Sequence, residues 1–346
     1  MSEPTATPGA DPATTRIDRD ETEVGSVFVS NYPAYSFWDE EDVPKARQAL
    51  ASPPNPDSQL GLYLHIPFCR KRCKFCYFRV YTDKNADQIQ TYLDALAREV
   101  AHYAQQPAIQ GRPLHFVYFG GGTPSYISSR HLRALVERIK DVMPWDQADE
   151  IAFECEPGTL TKAKLETIRD IGVTRLSLGL ENLNDEILHH NGRAHVSKEI
   201  YQAMPWVKEL DFDQVNVDLI AGMVGETWER WRETVQKTID LDPDTVTVYQ
   251  MELPYNTVYS KDLLSGDSEA IPLADWKTKR AWHAYAFEQF AAAGYTRSSA
   301  YTMKKTPEAR FVYRDAVWTG QDMIGAGVAS FSHINGVHYQ NAPRWE

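Results

Sequence analysis

The 346-residue sequence predicts an α/β fold, a parallel sheet curled into a partial or full barrel with a small α+β extension at its C-terminal end. Three observations predict it. From residue 61 onward, short apolar runs alternate with longer amphipathic segments; the runs are β-branched or aromatic; and several end in Gly or Pro, as buried parallel strands do. Strands are expected at residues 61–67, 115–120, 150–156, 174–179, 214–220 and 245–252. Helices are expected at 87–103, 130–142, 162–171, 198–210 and 228–241. Such a chain places its active site at the C-terminal ends of the strands. A late helix at 276–293 and strands near 296–300 and 330–340 make the extension. Within it, Asn335 and Gly336 signal a hairpin turn, with His333 and His338 as hairpin surface residues rather than ligands.

These elements divide the chain into a barrel over 61–255 and a C-terminal extension over 256–346, preceded by an N-terminal extension over 25–60. Residues 1–24 are rich in Ser, Thr, Pro, Ala and acids, have few large apolar residues and are expected to be a disordered tail. With 36 Lys+Arg against 48 Asp+Glu, the net charge of −12 argues against nucleic acid or an anionic membrane as a general partner. No apolar stretch reaches the length of a membrane span. Four cysteines without a signal peptide point to the cytoplasm, where thiols stay reduced.

Three of those cysteines fall in Cys69-Arg-Lys-Arg-Cys73-Lys-Phe-Cys76, directly after the first expected strand. Structural zinc takes paired C-x2-C units and a fourth Cys or His, whereas here there is one C-x2-C and the remaining cysteine, Cys155, lies in a distant apolar run. Thiolates are the usual ligands of iron–sulfur clusters. Three of them on a cluster of four irons leave one iron without a protein ligand, free to hold a small molecule through an amine and a carboxylate. The surrounding Arg70, Lys71, Arg72 and Lys74 are expected to favour the thiolate forms and to offer a basic patch to an anionic substrate or a reductase.

The other strand ends carry polar chemistry. The second ends in Tyr118-Phe-Gly-Gly-Gly-Thr-Pro-Ser125, a turn whose bare backbone admits a ligand and whose N–H groups can donate to a carboxylate. Glu154 and Glu156 end the third, Glu181 and Asn182 follow the fourth, and Asp218 sits in the fifth. Acids in apolar strands are costly unless paired or used; helix capping or a surface turn is the structural alternative for each.

Taken together, Tyr63-Leu-His-Ile-Pro-Phe-Cys69, the three-cysteine loop, Gly120-Gly-Gly-Thr-Pro124, Glu154-x-Glu-Pro157, Ser177-Leu-Gly179, Asn191-Gly-Arg193, Asn216-Val-Asp-Leu219 and Asp322-Met-Ile-Gly-Ala-Gly327 resemble radical S-adenosylmethionine enzymes. More closely, they resemble the oxygen-independent coproporphyrinogen III oxidase branch, over about residues 61–341. The resemblance implies a partial (β/α)6 barrel and a 4Fe-4S cluster on Cys69, Cys73 and Cys76. It implies that the cluster, charged by a one-electron donor such as flavodoxin or ferredoxin, reductively cleaves S-adenosylmethionine to methionine and a hydrogen-abstracting 5′-deoxyadenosyl radical. By motif, Tyr63, Gly121 and Glu154 would contact this molecule. Phe75, Gly122, Thr123, Glu181, Arg193 and Asp218, with Glu252 a weaker candidate, would contact a second S-adenosylmethionine, as in some members of the branch.

Four departures from the branch matter. Phe78 stands where the oxidases have a further cysteine, and Tyr313-Arg-Asp-Ala-Val-Trp318 replaces the His-Asn-x-x-Tyr-Trp of the heme chaperone-like members. Glu181 replaces the usual glutamine, and the chain stops at Trp345-Glu346, where the family continues into a substrate-covering domain; the chain is then either a fragment or a variant with an open pocket. Three functions stay open: a radical enzyme on a small-molecule substrate of the tetrapyrrole class, with Tyr77, Arg79, Tyr81 and Lys84 beside the pocket; a two-S-adenosylmethionine methyltransferase or cyclopropanating enzyme acting on a small or peptide substrate; and a non-catalytic heme carrier. Replacing any one of Cys69, Cys73 or Cys76 by Ala is expected to abolish the brown cluster absorbance or S-adenosylmethionine cleavage, whereas Cys155→Ala retains both; full activity in a ligand variant, or iron loss in folded Cys155→Ala, contradicts the assignment.

Overall fold

A computed structural model describes residues 24–26, 37–266 and 273–345. Residues 1–23 of the expected tail lie outside the described residues. The chain order is β1 (Val24–Ser26), α1 (Val43–Ala51), β2 (Leu60–Ile66), α2 (Ala86–Tyr103), β3 (Leu114–Gly121), α3 (Ser129–Lys140) and β4 (Glu150–Cys155). It continues with α4 (Lys162–Asp170), β5 (Arg175–Glu181), α5 (Asp185–His190), α6 (Ser197–Glu209), β6 (Gln214–Ala221), α7 (Trp228–Leu241) and β7 (Thr245–Gln250). The six expected strands are β2 to β7, side by side, in sequence order and all parallel. Every predicted helix is present, its ends within two residues of expectation.

Period-2 alternation sorts the strands into two faces. Leu60, Leu62, Leu64 and Ile66 of β2, and Ile151, Phe153 and Cys155 of β4, join the apolar faces of the helices in the main core. Cys155 is thus a buried core side chain on the helix-facing side of the sheet. The opposite positions (Tyr63 and His65, Tyr118, Glu154, Ser177, Asp218 and Tyr249) belong to the other, concave face.

After β7 come β8 (Leu253–Pro254), which pairs with β1, then α8 (Val258–Ser265), α9 (Trp276–Ala292), β9 (Thr296–Arg297) and β10 (Thr302–Lys304). Then follow α10 (Val312–Trp318), β11 (Asp322–Ala326), β12 (Phe331–Ile334) and β13 (Val337–Gln340). β10 and β9 extend the sheet antiparallel beyond β7. The expected hairpin is β12–β13, its Asn335 and Gly336 both at positive φ, and half-buried His333 and His338 are cross-strand partners in it. What the sequence pattern does not announce is β11: it returns to pair in parallel with β2, adding a seventh parallel strand. Among the described residues the sheet therefore has eleven strands, with β13 and β9 at its two edges. The segment carrying Phe311, Val312 and Tyr313 packs with Tyr63, Phe116 and Tyr118 in a small apolar cluster on the concave face. Among the described residues no helix is long and apolar enough to cross a membrane.

The β11 return is secured by a buried ion pair. Arg112 Nη1 donates to Asp322 Oδ2 at 2.8 Å, with the two side chains 11% and 2% exposed. The second Asp322 oxygen accepts from Asn335 N–H at 2.9 Å, and Arg112 Nη2 donates to Ser58 O at 2.6 Å. Asp322→Ala leaves Arg112 buried without its counterion and is expected to cost about 3–5 kcal/mol in urea unfolding; a loss below about 1 kcal/mol would show that the pair does not secure the return.

Candidate active site

The cysteine loop leaves the end of β2 and is closed at its neck by backbone pairing: Tyr81 N–H donates to Pro67 O at 2.8 Å and Cys69 N–H to Tyr81 O at 3.1 Å. The glycine turn after β3 grips the same neck. Gly122 N–H donates to Ile66 O and Thr123 N–H to Phe68 O, both at 2.8 Å. A Cβ on Gly122 would stand 2.9 Å from that Ile66 oxygen, which is why glycine is needed there. Gly121 N–H donates to Glu154 Oε2 at 3.1 Å. The Gly121, Gly122 and Thr123 N–H groups are thus taken within the protein, Gly121 donating to a carboxylate of the chain itself, and the turn holds the cysteine loop and Glu154 in place.

All three cysteines line one cavity of about 510 Å³, bounded by residues from the C-terminal ends of the strands. Cys69 is buried and Cys73 and Cys76 half-buried. Thr123 Oγ1 donates to Cys69 Sγ and Arg193 Nη1 to Cys73 Sγ, each at 3.3 Å. Burial pushes the Cys69 thiol up to about 11, against the Thr123 bond, and the Cys76 thiol up to about 12. Of the loop cations, Arg72 draws the Cys76 thiol down without overcoming burial, while Arg70 and Lys74 are engaged elsewhere. Arg70 donates to Gly158 O and Ala194 O, Lys74 lies 5.5 Å from the Tyr259 ring centroid, and Arg72 bonds Cys76 O and Asn256 O. Neutral buried thiols of this kind become ligands when a metal centre supplies the positive charge.

The donor set is three thiols on one cavity. Among the described residues no three His, Cys, Asp or Glu side chains converge on a point where a single ion could be held. Three thiols spaced around a cavity, two of them receiving hydrogen bonds, suit thiolates bound to separate irons of one cluster.

The acids at the strand ends divide by partner. Glu156, also on the cavity wall, is engaged by His195, Nδ1 to Oε1 at 2.7 Å, and caps the following turn by accepting from Gly158 N–H. Glu154, Glu181 and Asp218 line the cavity. Asp218 accepts from Ser177 at 2.9 Å and from Asn216 at 3.0 Å, and Asn216 in turn accepts from Thr245 and Thr247. Glu181 stands at φ 63°, 3.6 Å from Arg193, whose Nη2 donates to Gly179 O at 2.6 Å. Burial pushes Glu154 and Glu181 each up to about 7, with Asp218 adding to the rise of both.

Phe75 lines the cavity and packs against the small cluster of Met223, Met251 and Tyr259. Tyr63 stacks on Tyr118 at 5.8 Å, with its hydroxyl 3.1 Å from His65 Nδ1. Glu252 is on the cavity wall. Of the four residues expected beside the pocket, Tyr77 lines it, whereas Arg79 and Lys84 both lie over Tyr81, which packs on Trp345. Sequence reasoning did not find the further aromatic lining, Tyr249 with Tyr301 stacked on it at 6.2 Å, and Trp276. Inward alternation along β7 marks Tyr249; nothing local marks Tyr301 or Trp276.

A family model for the radical SAM superfamily matches residues 63–238. An oxygen-independent coproporphyrinogen III oxidase of Synechocystis is 31% identical over 253 residues, 72% of this chain and 53% of that protein. Heme chaperone HemW of Bacillus subtilis is 27% identical over 291 residues, covering 81% of this chain and 72% of that one. The solved coproporphyrinogen III oxidase HemN of Escherichia coli superposes with a TM-score of 0.79 at 26% identity, over 92% of this chain and 74% of that one. The chain spans about half the length of the Synechocystis relative. With its parallel α/β sheet and three-cysteine loop, the chain belongs to the radical SAM superfamily. Within it, it falls in the coproporphyrinogen oxidase-like branch that includes both HemN and HemW. Its cofactors are accordingly a 4Fe-4S cluster and S-adenosylmethionine.

A pH dependence follows from the buried acids. The folded value of Glu181 near 7 lies above its ordinary 4.5, even with Arg193 beside it, so folding favours the protonated form. Its contribution to stability is therefore fullest below pH 4.5 and falls as pH rises to about 7. Glu181→Gln is expected to raise stability at pH 8 by about 2 kcal/mol and leave it nearly unchanged at pH 4. Denaturant midpoints at the two pH values check this; equal effects at both would contradict it.

Proposed function

We propose that this protein is a radical enzyme that abstracts hydrogen from an organic substrate of the tetrapyrrole class, in the cytoplasm. The observation that carries the reading is the cavity whose lining brings the three cysteines together with the aromatic side chains of Tyr77, Phe78, Tyr249, Tyr301 and Trp276. Such a lining suits a flat, largely apolar ligand. Cys69, Cys73 and Cys76 would hold the cluster, which when bound supplies reductive cleavage of S-adenosylmethionine and with it a hydrogen-abstracting radical. Thr123 and Arg193, which donate to Cys69 and Cys73 Sγ, would withdraw charge from those sulfurs once they held a cluster and so tune its potential. Tyr63, Gly121 and Glu154 would orient S-adenosylmethionine, and the aromatic walls limit water near the reacting atoms. In this reading residues 61–255 carry the cofactors and residues 256–346 supply part of the walls. Lys71 and its basic neighbours on the cysteine loop are the docking point we assign to a one-electron donor such as flavodoxin or ferredoxin.

A second reading, a methyltransferase or cyclopropanating enzyme using two S-adenosylmethionines, is favoured by Glu181 and Asp218. They form an acidic inner wall suited to an amine or ribose hydroxyl rather than a substrate carboxylate. The branch also contains heme chaperones, and in a carrier the cavity would hold heme without turnover. The test is anaerobic: rebuild the cluster, add dithionite and S-adenosylmethionine, and analyse products by mass spectrometry. 5′-Deoxyadenosine growing with an added porphyrinogen is the expected result. S-adenosylhomocysteine alongside it, growing with another acceptor, favours the methyltransferase. Neither product, from protein whose cluster is intact, overturns the enzyme reading in favour of the carrier.

A further inference from the structure

Tyr118 lies two residues before Gly120, the first glycine of the turn. Its hydroxyl donates to Glu154 Oε1 at 2.7 Å, while Gly121 N–H holds Oε2 at 3.1 Å. Both carboxylate oxygens are thus anchored from β3, each with acceptor capacity left for a ligand in the cavity. The Tyr118 ring is itself confined: Tyr313 lies 4.2 Å away between centroids, Tyr63 5.8 Å and Phe311 6.1 Å. A Cβ on Gly120 would stand 2.7 Å from the Tyr118 ring and 3.0 Å from that of Tyr63, so the adjacent glycine leaves room for this packing.

Tyr313 and Phe311 come from the C-terminal segment, which is fastened to the sheet. Glu150 accepts from Val312 N–H at 3.1 Å and Tyr313 N–H at 3.0 Å. Arg175 donates to Arg310 O at 3.1 Å and lies 4.3 Å from the Phe311 ring centroid. A continuous run of contacts therefore joins this segment to Glu154 through one tyrosine.

We propose that Tyr118, braced by Tyr313, is a positioning residue that keeps Glu154 an ionised carboxylate facing the cavity. For the ligand, though not for the carboxylate, this rests on the reading that Glu154 meets S-adenosylmethionine. Glu154 needs such support. Asp218 from β6 and Glu181 from β5 face it with like charge, and among the described residues its other titratable neighbours are Tyr63, Tyr77, Tyr249, Tyr313 and the buried Cys155 thiol, none of them a cation. Burial pushes the carboxyl up to about 7, and the Tyr118 and Gly121 donors pull the other way.

Carbon-13 NMR of the full chain with labelled glutamate carboxyls tests this, the Glu154 signal being identified by its loss in Glu154→Gln. The wild-type signal should titrate near neutral pH, and in Tyr118→Phe, which keeps the ring, its midpoint should rise to about 8 or above. Tyr313→Phe should match wild type, whereas Tyr313→Ala should shift the midpoint in the same direction as Tyr118→Phe. A Tyr118→Phe midpoint equal to wild type overturns the proposal, and a Tyr313→Ala midpoint equal to wild type removes the brace. Equilibrium binding of S-adenosylmethionine to cluster-loaded, unreduced protein provides the second arm. Tyr118→Phe should bind about threefold more weakly at pH 7.5 and recover at pH 9, following the ionised fraction. If Glu154→Gln binds normally while Tyr118→Phe still shifts the titration, the ligand reading fails and the positioning role stands.

Discussion

The site depends on two backbone hydrogen bonds, Gly122 N–H to Ile66 O and Thr123 N–H to Phe68 O. They continue the β2–β3 pairing past the ends of the strands and into the loops, so that the glycine turn and the neck of the cysteine loop behave as one piece. A side chain on Gly122 would press on the carbonyls of Ile66 and Phe68 and push the loops apart. With the neck fixed, the Thr123 hydroxyl falls on Cys69 Sγ, and Gly121 N–H reaches across to Glu154 on β4. Ligand loop, turn and first carboxylate are thereby held in register by main-chain geometry, which is more rigid than side-chain contact.

Around this core the protein holds polar groups that oppose its own stability. Glu154, Glu181 and Asp218 share a buried wall; Arg193 lies beside Glu181 and also donates to a cysteine sulfur, and Arg175 draws the Asp218 carboxyl down. Three acids so placed are costly in the empty protein and useful to a ligand carrying positive charge or several hydroxyl donors, the exchange of stability for function common in binding sites. Asp218 is the best supported of the three, through Ser177 and Asn216. Glu181 is the least, its backbone in the left-handed region and its charge offset by Arg193 alone.

Much of this was legible in the sequence, for local reasons. Strands β2 to β7 and their helices each carry their own period, and the C-x3-C-x2-C spacing and strand-end acids are chemical signals that need no fold to be seen. The hairpin at Asn335 and Gly336 is equally local. What escaped depends on partners distant in sequence. Asp322 to Ala326 is too short and too mixed to declare that it pairs with β2. The packing of Tyr313 on Tyr118 cannot be read from either stretch alone. The loop cations carried the right charge for thiolate stabilisation, and Arg72 does draw the Cys76 thiol down, but burial outweighs it and backbone carbonyls claim Arg70 and Arg72. Likewise the glycine N–H groups looked free in sequence, and the neighbouring strand end and Glu154 take them.

The central claim is a three-thiolate cluster whose fourth iron is open to S-adenosylmethionine. Electron–nuclear double resonance of the reduced, cluster-loaded protein tests it most directly, using S-adenosylmethionine labelled with nitrogen-15 at the amine and oxygen-17 at the carboxylate. Hyperfine coupling to both labels places amine and carboxylate on that iron, as the account predicts. An intact cluster that shows coupling to neither label, with S-adenosylmethionine at saturation, would contradict it.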